Sequence, residues 1–452
     1  MPNESTPTLE LSKSSLTQLS FFPLITKGDT SGDASVLRSL PPRPNILLIV
    51  SDDQRFDTME YMPLTKARIF DQGISFKNGY ITTSSCCPSR ASIFTGMYAH
   101  NHGVLLNEDP LKKDTFVKAL YDVGYNTALV GKYLNSWDGE PRSEFDYWVS
   151  FDGGGSPYYD PELNVQGEWS IYPGYITHIL SDFALDFLQS ASQQSAPFLL
   201  IFAPTAPHEP AEPAPGDEAL YSTLALHRPP NFNEQDVSDK PGWMQERHLL
   251  REDEIETIYK LRQKQLQTLH SLDVEVSEIF DFLASENQLD NTFVVYLSDN
   301  GYFWGEHRLA RGKGYAYEES IHVPFAIRYP PLIPSPRQET HIVANIDLAP
   351  TIYQLAGLPI PSNTDGFSLL SLMQGDSDWR DKLVVENWIR YGPYIGVRSE
   401  RYLYVEWENN TLELYDLGID AYQLQNLANL PEYAQLIADF HGYLQAIKPV
   451  QR

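Results

Sequence analysis

The 452-residue chain contains only two cysteines, and they are adjacent, Cys86 and Cys87. Neighbouring thiols cannot build a disulfide framework. At most they close a strained vicinal ring, which argues against a disulfide-stabilised secreted domain. Basic residues are also scarce: 33 Lys and Arg stand against 60 Asp and Glu, a formal charge of −27. A surface of that sign repels nucleic acid and anionic membranes, and it disfavours a long polyanion lying across it. A small anionic ligand would need a locally cationic pocket. Long apolar runs are missing too, since no stretch approaches the ~20 residues of a membrane span. The first forty residues lack a basic start followed by an apolar segment and a small-residue cleavage site. The expectation is a protein with no nucleic-acid or membrane partner; localisation stays open, with cytoplasmic as the default.

What is present suffices for a large core, with 42% apolar residues. Residues 1–43 are Ser/Thr-rich and run into Pro41-Pro42-Arg43-Pro44, reading as an arm that is poorly ordered or draped over the body. Residues 44–375 read as the main domain and 376–452 as a smaller C-terminal one. Four short apolar runs without alternation, Asn45–Val50, Thr127–Val130, Phe198–Phe202 and Thr292–Leu297, suit strands buried on both faces. Between the last two, Ile255, Ile258, Leu266, Leu269, Leu272, Val276, Ile279 and Leu283 recur mostly by threes and fours, a helical spacing. Such alternation implies an α/β fold with a mainly parallel sheet covered by helices on both faces. Ligands of such sheets bind beyond the carboxyl ends of the strands. Toward the C-terminus, Tyr394–Arg398, Tyr402–Trp407 and Leu412–Tyr415 predict a small antiparallel sheet, closed by a helix near residues 431–447.

Polar residues follow each buried run. Asp52-Asp53 follows the first and Asp299-Asn300 the last; adjacent carboxylates repel unless a cation lies between them. Either pair alone reads as a solvated turn. Two at the ends of strands in one sheet point to a divalent cation bound by oxygen, for which calcium is suited. Lys132 follows the second run, His208 the third, and Lys313 closes the run Glu306-His307-Arg308-Leu309-Ala310-Arg311-Gly312-Lys313. Individually each is an ordinary surface charge or histidine. Together, with Arg90, they make the cationic pocket that a sulfate or phosphate ester requires.

The run Cys86-Cys87-Pro88-Ser89-Arg90, continued by Ala91-Ser92-Ile93-Phe94-Thr95-Gly96, resembles the modification signature of type I sulfatases. The likeness extends from about residue 43 to 430. It includes Gly131-Lys132-Tyr133-Leu134-Asn135, Ala206-Pro207-His208, Ser298-Asp299-Asn300-Gly301 and Tyr317-Glu318-Glu319-Ser320-Ile321-His322. The motifs are most similar to the N-acetylglucosamine-6-sulfatase and extracellular sulfatase branch. That resemblance implies an alkaline-phosphatase-like fold and a formylglycine made from Cys86 by a formylglycine-generating enzyme. It implies one calcium ion held by Asp52, Asp53, Asp299, Asn300 and the residue made from Cys86. Arg90, Lys132, His208 and Lys313 would carry catalysis, and Lys132, His208, Lys313, Asn135 and His307 would contact substrate.

The implied reaction is transesterification onto the hydrated aldehyde, then elimination of sulfate, with His208 protonating the departing alcohol. The substrate would be a small sulfate ester, with a 6-sulfated amino sugar favoured. One departure is Leu134, where many sulfatases carry a histidine; His100, His102 and His307 are the candidates for the missing base. Tyr147-Trp148, Tyr158-Tyr159 and Trp304 could stack on a sugar or aryl group or fill the core. Pro88 in a first helical turn would leave Cys86 just ahead of the helix, with Cys87 packed and idle. The competing readings are a phosphonate or phosphate ester hydrolase of the same superfamily and a non-catalytic sulfated-glycan-binding relative.

Overall fold

The structure is a computed structural model that describes residues 43–375, 378–388 and 392–447. The arm expected over residues 1–43 lies, apart from Arg43, outside the described residues, as does the start of the expected C-terminal part at 376.

Ten strands form one sheet: β1 (Asn45–Ser51), β2 (Ile74–Tyr80), β3 (Asn126–Gly131), β4 (Tyr147–Ser150), β5 (Glu162–Val165), β6 (Glu168–Ile171), β7 (Phe198–Ala203), β8 (Thr292–Ser298), β9 (Phe325–Arg328) and β10 (Arg337–Ala344). Their spatial order is β10-β2-β9-β8-β1-β7-β3-β4-β5-β6. The four runs read from the sequence are β1, β3, β7 and β8, and they are the adjacent centre of the sheet, β8-β1-β7-β3, all parallel. Every residue of β1, β7 and β8 is buried, as strands covered on both faces must be. β9 runs antiparallel between β8 and β2, and the β4-β5-β6 edge is an antiparallel meander on β4.

Helices cover this sheet. Cys86–Thr95 (α1) lies next to the site, while Ile176–Ser192 (α2) and the 34-residue Glu252–Ser285 (α3) share a hydrophobic cluster with the central strands. All eight apolar positions whose spacing predicted α3 are buried. Its acidic first turn, Glu252-Asp253-Glu254, complements the positive end of the helix dipole.

The second sheet is antiparallel, in the order β11 (Lys382–Asn387), β12 (Tyr394–Ser399), β13 (Tyr402–Trp407) and β14 (Leu412–Asp416), with Ala434–Ile447 (α4) packed on it. Its apolar residues join one cluster with Tyr80, Ile342 and Ala344 of β2 and β10. The Glu386 N–H donates to Thr82 O at 2.9 Å, so β11 steadies the segment that leads into α1.

Candidate active site

Strand register brings the chemistry together. Ser51 pairs with Ser298, so Asp52 and Asp299 leave the sheet at one level; Gly131 pairs with Ala203, so Lys132 leaves beside the loop that carries His208. Gly131 has φ +114°, and a Cβ there would lie 2.0 Å from Ala203 O, so glycine alone permits this approach. Asp53 holds φ +70°, a left-handed conformation costing an L-residue about 1–2 kcal/mol. It is fixed by its N–H, which donates to Asp299 Oδ1 at 3.2 Å, and by the partners of its carboxylate.

Three buried carboxylates meet three cations, of which Arg90 and Lys132 are buried and Lys313 is partly exposed. Lys132 Nζ lies 2.6 Å from Asp52 Oδ2, and Arg90 Nε lies 2.8 Å from Asp299 Oδ2. Lys313 Nζ pairs with Asp53 Oδ1, which also accepts from Asn300 Nδ2 at 2.6 Å. Burial pushes the Asp52 and Asp53 carboxyls up, but the ammoniums of Lys132 and Lys313 overcome it and hold both below their ordinary value. The same pairs raise both lysines against the opposing effect of burial. Cys86 Sγ sits among them, 3.1 Å from Lys313 Nζ and 3.9 Å from Asp52 Oδ1. Burial pushes its thiol up despite the two lysines.

Cys86 is the first residue of α1 rather than the residue before it, and Pro88 is the third. Pro88 still falls among the first four residues, whose N–H groups have no intrahelical partner, so its missing N–H costs nothing there. Ser85, the N-cap, makes no cap of its own; its hydroxyl and the Cys87 N–H both donate to Asn107 Oδ1, at 3.0 and 3.2 Å. Cys87 is wholly buried, its thiol pushed up to about 12 by burial, and it exchanges hydrogen bonds with Asn135. Asn135 is thereby tied to α1.

His208 lies 3.8 Å from Asp53 Oδ2 through Nε2. Its Nδ1 is 2.8 Å from Glu209 O, which fixes Nδ1 as the donor and leaves Nε2 toward the acids. Around it, Tyr158 Oη donates to His208 O at 2.8 Å and Gln265 Nε2 to Pro207 O at 3.2 Å. Gln265 also accepts from Trp304 Nε1 at 2.6 Å, so one buried amide on α3 joins the two loops that deliver His208 and Lys313.

The other three histidines have different surroundings. His100 pairs with Glu386 of β11 at 2.7 Å, and its buried Nε2 has no partner among the described residues. His102 lies 3.1 Å from Ser92 Oγ and accepts from the Val104 N–H, and burial lowers it to about 3. His307 is buried against Glu234 and Asn231 and stacks on Tyr317 at 4.2 Å. Of the four, His208 alone contacts the central acids among the described residues. Trp148, Tyr158 and Trp304 are core residues; Tyr159 is exposed.

Sequence reading missed Asn107, Gln265 and the supporting role of Tyr158. Gln265 carried a signal, a polar residue beside Leu266 on the buried face of α3. Asn107 carried none, since it acts from a loop.

Ligand atoms of Asp52, Asp53, Cys86 and His208 all lie within 4.8 Å of one another. Asn300 Oδ1 is buried and has no hydrogen-bond partner among the described residues. Clustered carboxylate oxygens plus an unclaimed amide oxygen fit a hard cation such as calcium.

Residues 44–358 match the sulfatase family model, and residues 305–449 match the model described as N-sulphoglucosamine sulphohydrolase, C-terminal. The chain therefore belongs to the sulfatase family. It is 34% identical to the human N-acetylglucosamine-6-sulfatase over 76% of its own length and 67% of that protein's. It is also 34% identical to an extracellular sulfatase homologue from Drosophila melanogaster, over 76% of this chain and 32% of that one. The chain thus spans about a third of that relative. A solved structure in complex with its substrate D-glucosamine-2-N,6-O-disulfate is 26% identical, with a TM-score of 0.81, covering 90% of this chain and 97% of that one. The mainly parallel large sheet, the small antiparallel sheet and the family are as the sequence implied.

Proposed function

We propose that the chain is a sulfuric ester hydrolase acting on a sulfated amino sugar, with a formylglycine made from Cys86 and one calcium ion. The observation that carries this reading is the position of Cys86 Sγ, at the first turn of α1 between Lys313 and Asp52. Asp52, Asp53, Asp299, Asn300 and the residue at 86 would hold the ion. In that setting formylglycine supplies a hydroxyl nucleophile and calcium a Lewis acid.

The side chains divide the remaining work. Three acids are balanced by Arg90, Lys132 and Lys313, so a bound dication leaves an excess of positive charge, the condition for drawing a sulfate ester into an acidic protein. Lys132 and Lys313, on two sides of position 86, bind the sulfate oxygens and stabilise the charge that develops on them. Arg90 holds Asp299 and donates to Lys132 O at 2.9 Å, so it orients both the metal acid and the lysine loop. His208, with Nδ1 donating to Glu209 O, turns Nε2 toward the acids and would, as the imidazolium, give its Nε2 proton to the departing alcohol. Support for the amino sugar comes from the relatives alone: the human one is an N-acetylglucosamine-6-sulfatase, and the solved neighbour binds a glucosamine disulfate.

The test is turnover of an aryl sulfate, an aryl phosphodiester and N-acetylglucosamine 6-sulfate by protein made with a formylglycine-generating enzyme, with and without calcium. Preference for the phosphodiester would point to the phosphonate or phosphate hydrolases. An unmodified Cys86 with no turnover would point to a binding protein.

A further inference from the structure

Two unlike segments lie next to His208. On one side runs Gly153-Gly154-Gly155, without side chains. A Cβ on Gly154 would lie 2.6 Å from Asn135 Nδ2, and one on Gly155 would lie 3.3 Å from His208 Nδ1. Bare backbone therefore rests against two site residues, closer than a side chain at either position would allow. On the other side Arg311 Nη1 meets Glu209 Oε2 at 3.1 Å, with the two side chains 64% and 31% exposed. Glu209 follows His208 in the chain and is also bonded by the Tyr302 hydroxyl. Arg311 precedes Lys313 by two residues, a span of at most about 7 Å. The Gly312 between them has φ +103° and open space around its Cα, while its carbonyl is pinned by the Phe303 N–H. The backbone is thus fixed while the guanidinium reaches into solvent beside the proton donor.

We infer that Arg311 is a specificity residue that recognises a second anionic group, sulfate or carboxylate, on the alcohol half of the substrate, by exchanging Glu209 for it. This deepens the sulfatase reading and rests on it. An exposed ion pair holds its partners weakly, so Arg311 gives up Glu209 at little cost. A sulfate or carboxylate can accept two N–H bonds from the planar guanidinium, a stronger arrangement than the single contact to Glu209. Glu209 also limits the gain to substrates with a second anion: without one the acid stays paired, and a singly sulfated sugar gains nothing from Arg311. In a chain of charge −27, an exposed arginine within two residues of the sulfate-binding lysine is well placed for such a role.

The experiment compares kcat/KM for N-sulfoglucosamine 6-sulfate and N-acetylglucosamine 6-sulfate in the aldehyde-bearing full chain, Arg311→Gln and Glu209→Gln. Wild type should prefer the N-sulfated sugar. Arg311→Gln should lose about tenfold on it through KM, collapsing the ratio between the two sugars, as loss of a charged hydrogen bond implies. Glu209→Gln should move the ratio the other way, because it frees the guanidinium. If the pair is only a latch between loops, both substitutions break it and shift both sugars alike; that result overturns the inference. A wild-type ratio near one overturns it too. An aryl sulfate assayed in each preparation separates the two readings. Aryl turnover with a flat sugar ratio removes the role of Arg311 alone, whereas no turnover of any sulfate ester removes the sulfatase reading and this one together.

Discussion

Replacing Asp299 by alanine tests the metal site and the charge balance at once. Asp299 is fully buried, accepts from the Asp53 N–H and is paired with Arg90 at 2.8 Å. Arg90 is 2% exposed and its Nη2 has no hydrogen-bond partner among the described residues, so Asp299→Ala leaves a buried guanidinium without its paired acid, held only by Lys132 O. Breaking one side of a buried pair costs about 3–5 kcal/mol. With an unfolding entropy of about 2.1 cal/mol/K per residue over the roughly 400 described residues, that is a fall of about 4–6 °C in Tm. Calcium adds a second, separable effect. At a free concentration of about 100 Kd it stabilises a folded site by about 2.7 kcal/mol, or about 3 °C here. Calorimetry should therefore show wild type rising with calcium, and Asp299→Ala starting lower and not responding, with turnover lost. A chelated wild type with full activity and an unchanged Tm would refute the metal assignment. A variant melting like wild type without calcium would refute the cost assigned to Arg90.

The other expectations are narrower. Cys86→Ala should abolish turnover of every substrate while Cys87→Ala keeps most of it, and peptide mass spectrometry should find a hydrazine-trappable aldehyde at 86; an aldehyde at 87, or activity with both thiols intact, would contradict this. His208→Ala should cost about 10²–10⁴-fold on an alkyl sulfate and much less on an activated aryl sulfate; equal losses would make it a sulfate-binding group. Glu275 on α3 is pushed up to about 7, chiefly by burial and then by Glu278 and Asp182 against a bond from Ser181. Between its ordinary value of 4.5 and 7 the folded state binds the extra proton, so its contribution to stability is present at low pH and is lost as pH rises toward 7. Glu275→Gln should therefore raise Tm more at pH 8 than at pH 5, and an equal effect at both would show that the carboxyl is not held neutral.

The part of the fold that was legible is the part where local pattern and tertiary fate agree. Strands β1, β3, β7 and β8 are buried on both faces, so their composition alone marks them, and they carry most of the site at their ends. Strands β2 and β10 were not legible. Ile-Ser-Phe-Lys-Asn-Gly-Tyr alternates and breaks, and Arg337–Thr340 is polar because β10 is an edge. β11 escaped notice although all but its first residue is buried, because it pairs only with β12 and its neighbours in sequence gave no hairpin signal. Within the site the charged ring was readable from residue type and position after a strand. Its supports were not, since Asn107, Tyr158 and Gln265 act through contacts distant in sequence.

That division has a physical cause. The groups that would touch substrate must be charged, and in a buried sheet a charge at a strand end stands out from its neighbours. The groups that hold them are neutral amides and hydroxyls, whose burial is tolerable only because each bond is completed by a partner elsewhere in the fold. Gln265 shows the consequence. It carries no charge, yet it spans from Trp304 Nε1 to Pro207 O and so sets the spacing between the loop of Lys313 and the loop of His208. A shorter amide at 265 could not complete both bonds, and one buried polar group would be left unpaired at a cost of about 1–3 kcal/mol. The spacing of His208 and Lys313 is thus set from α3 rather than by either loop alone.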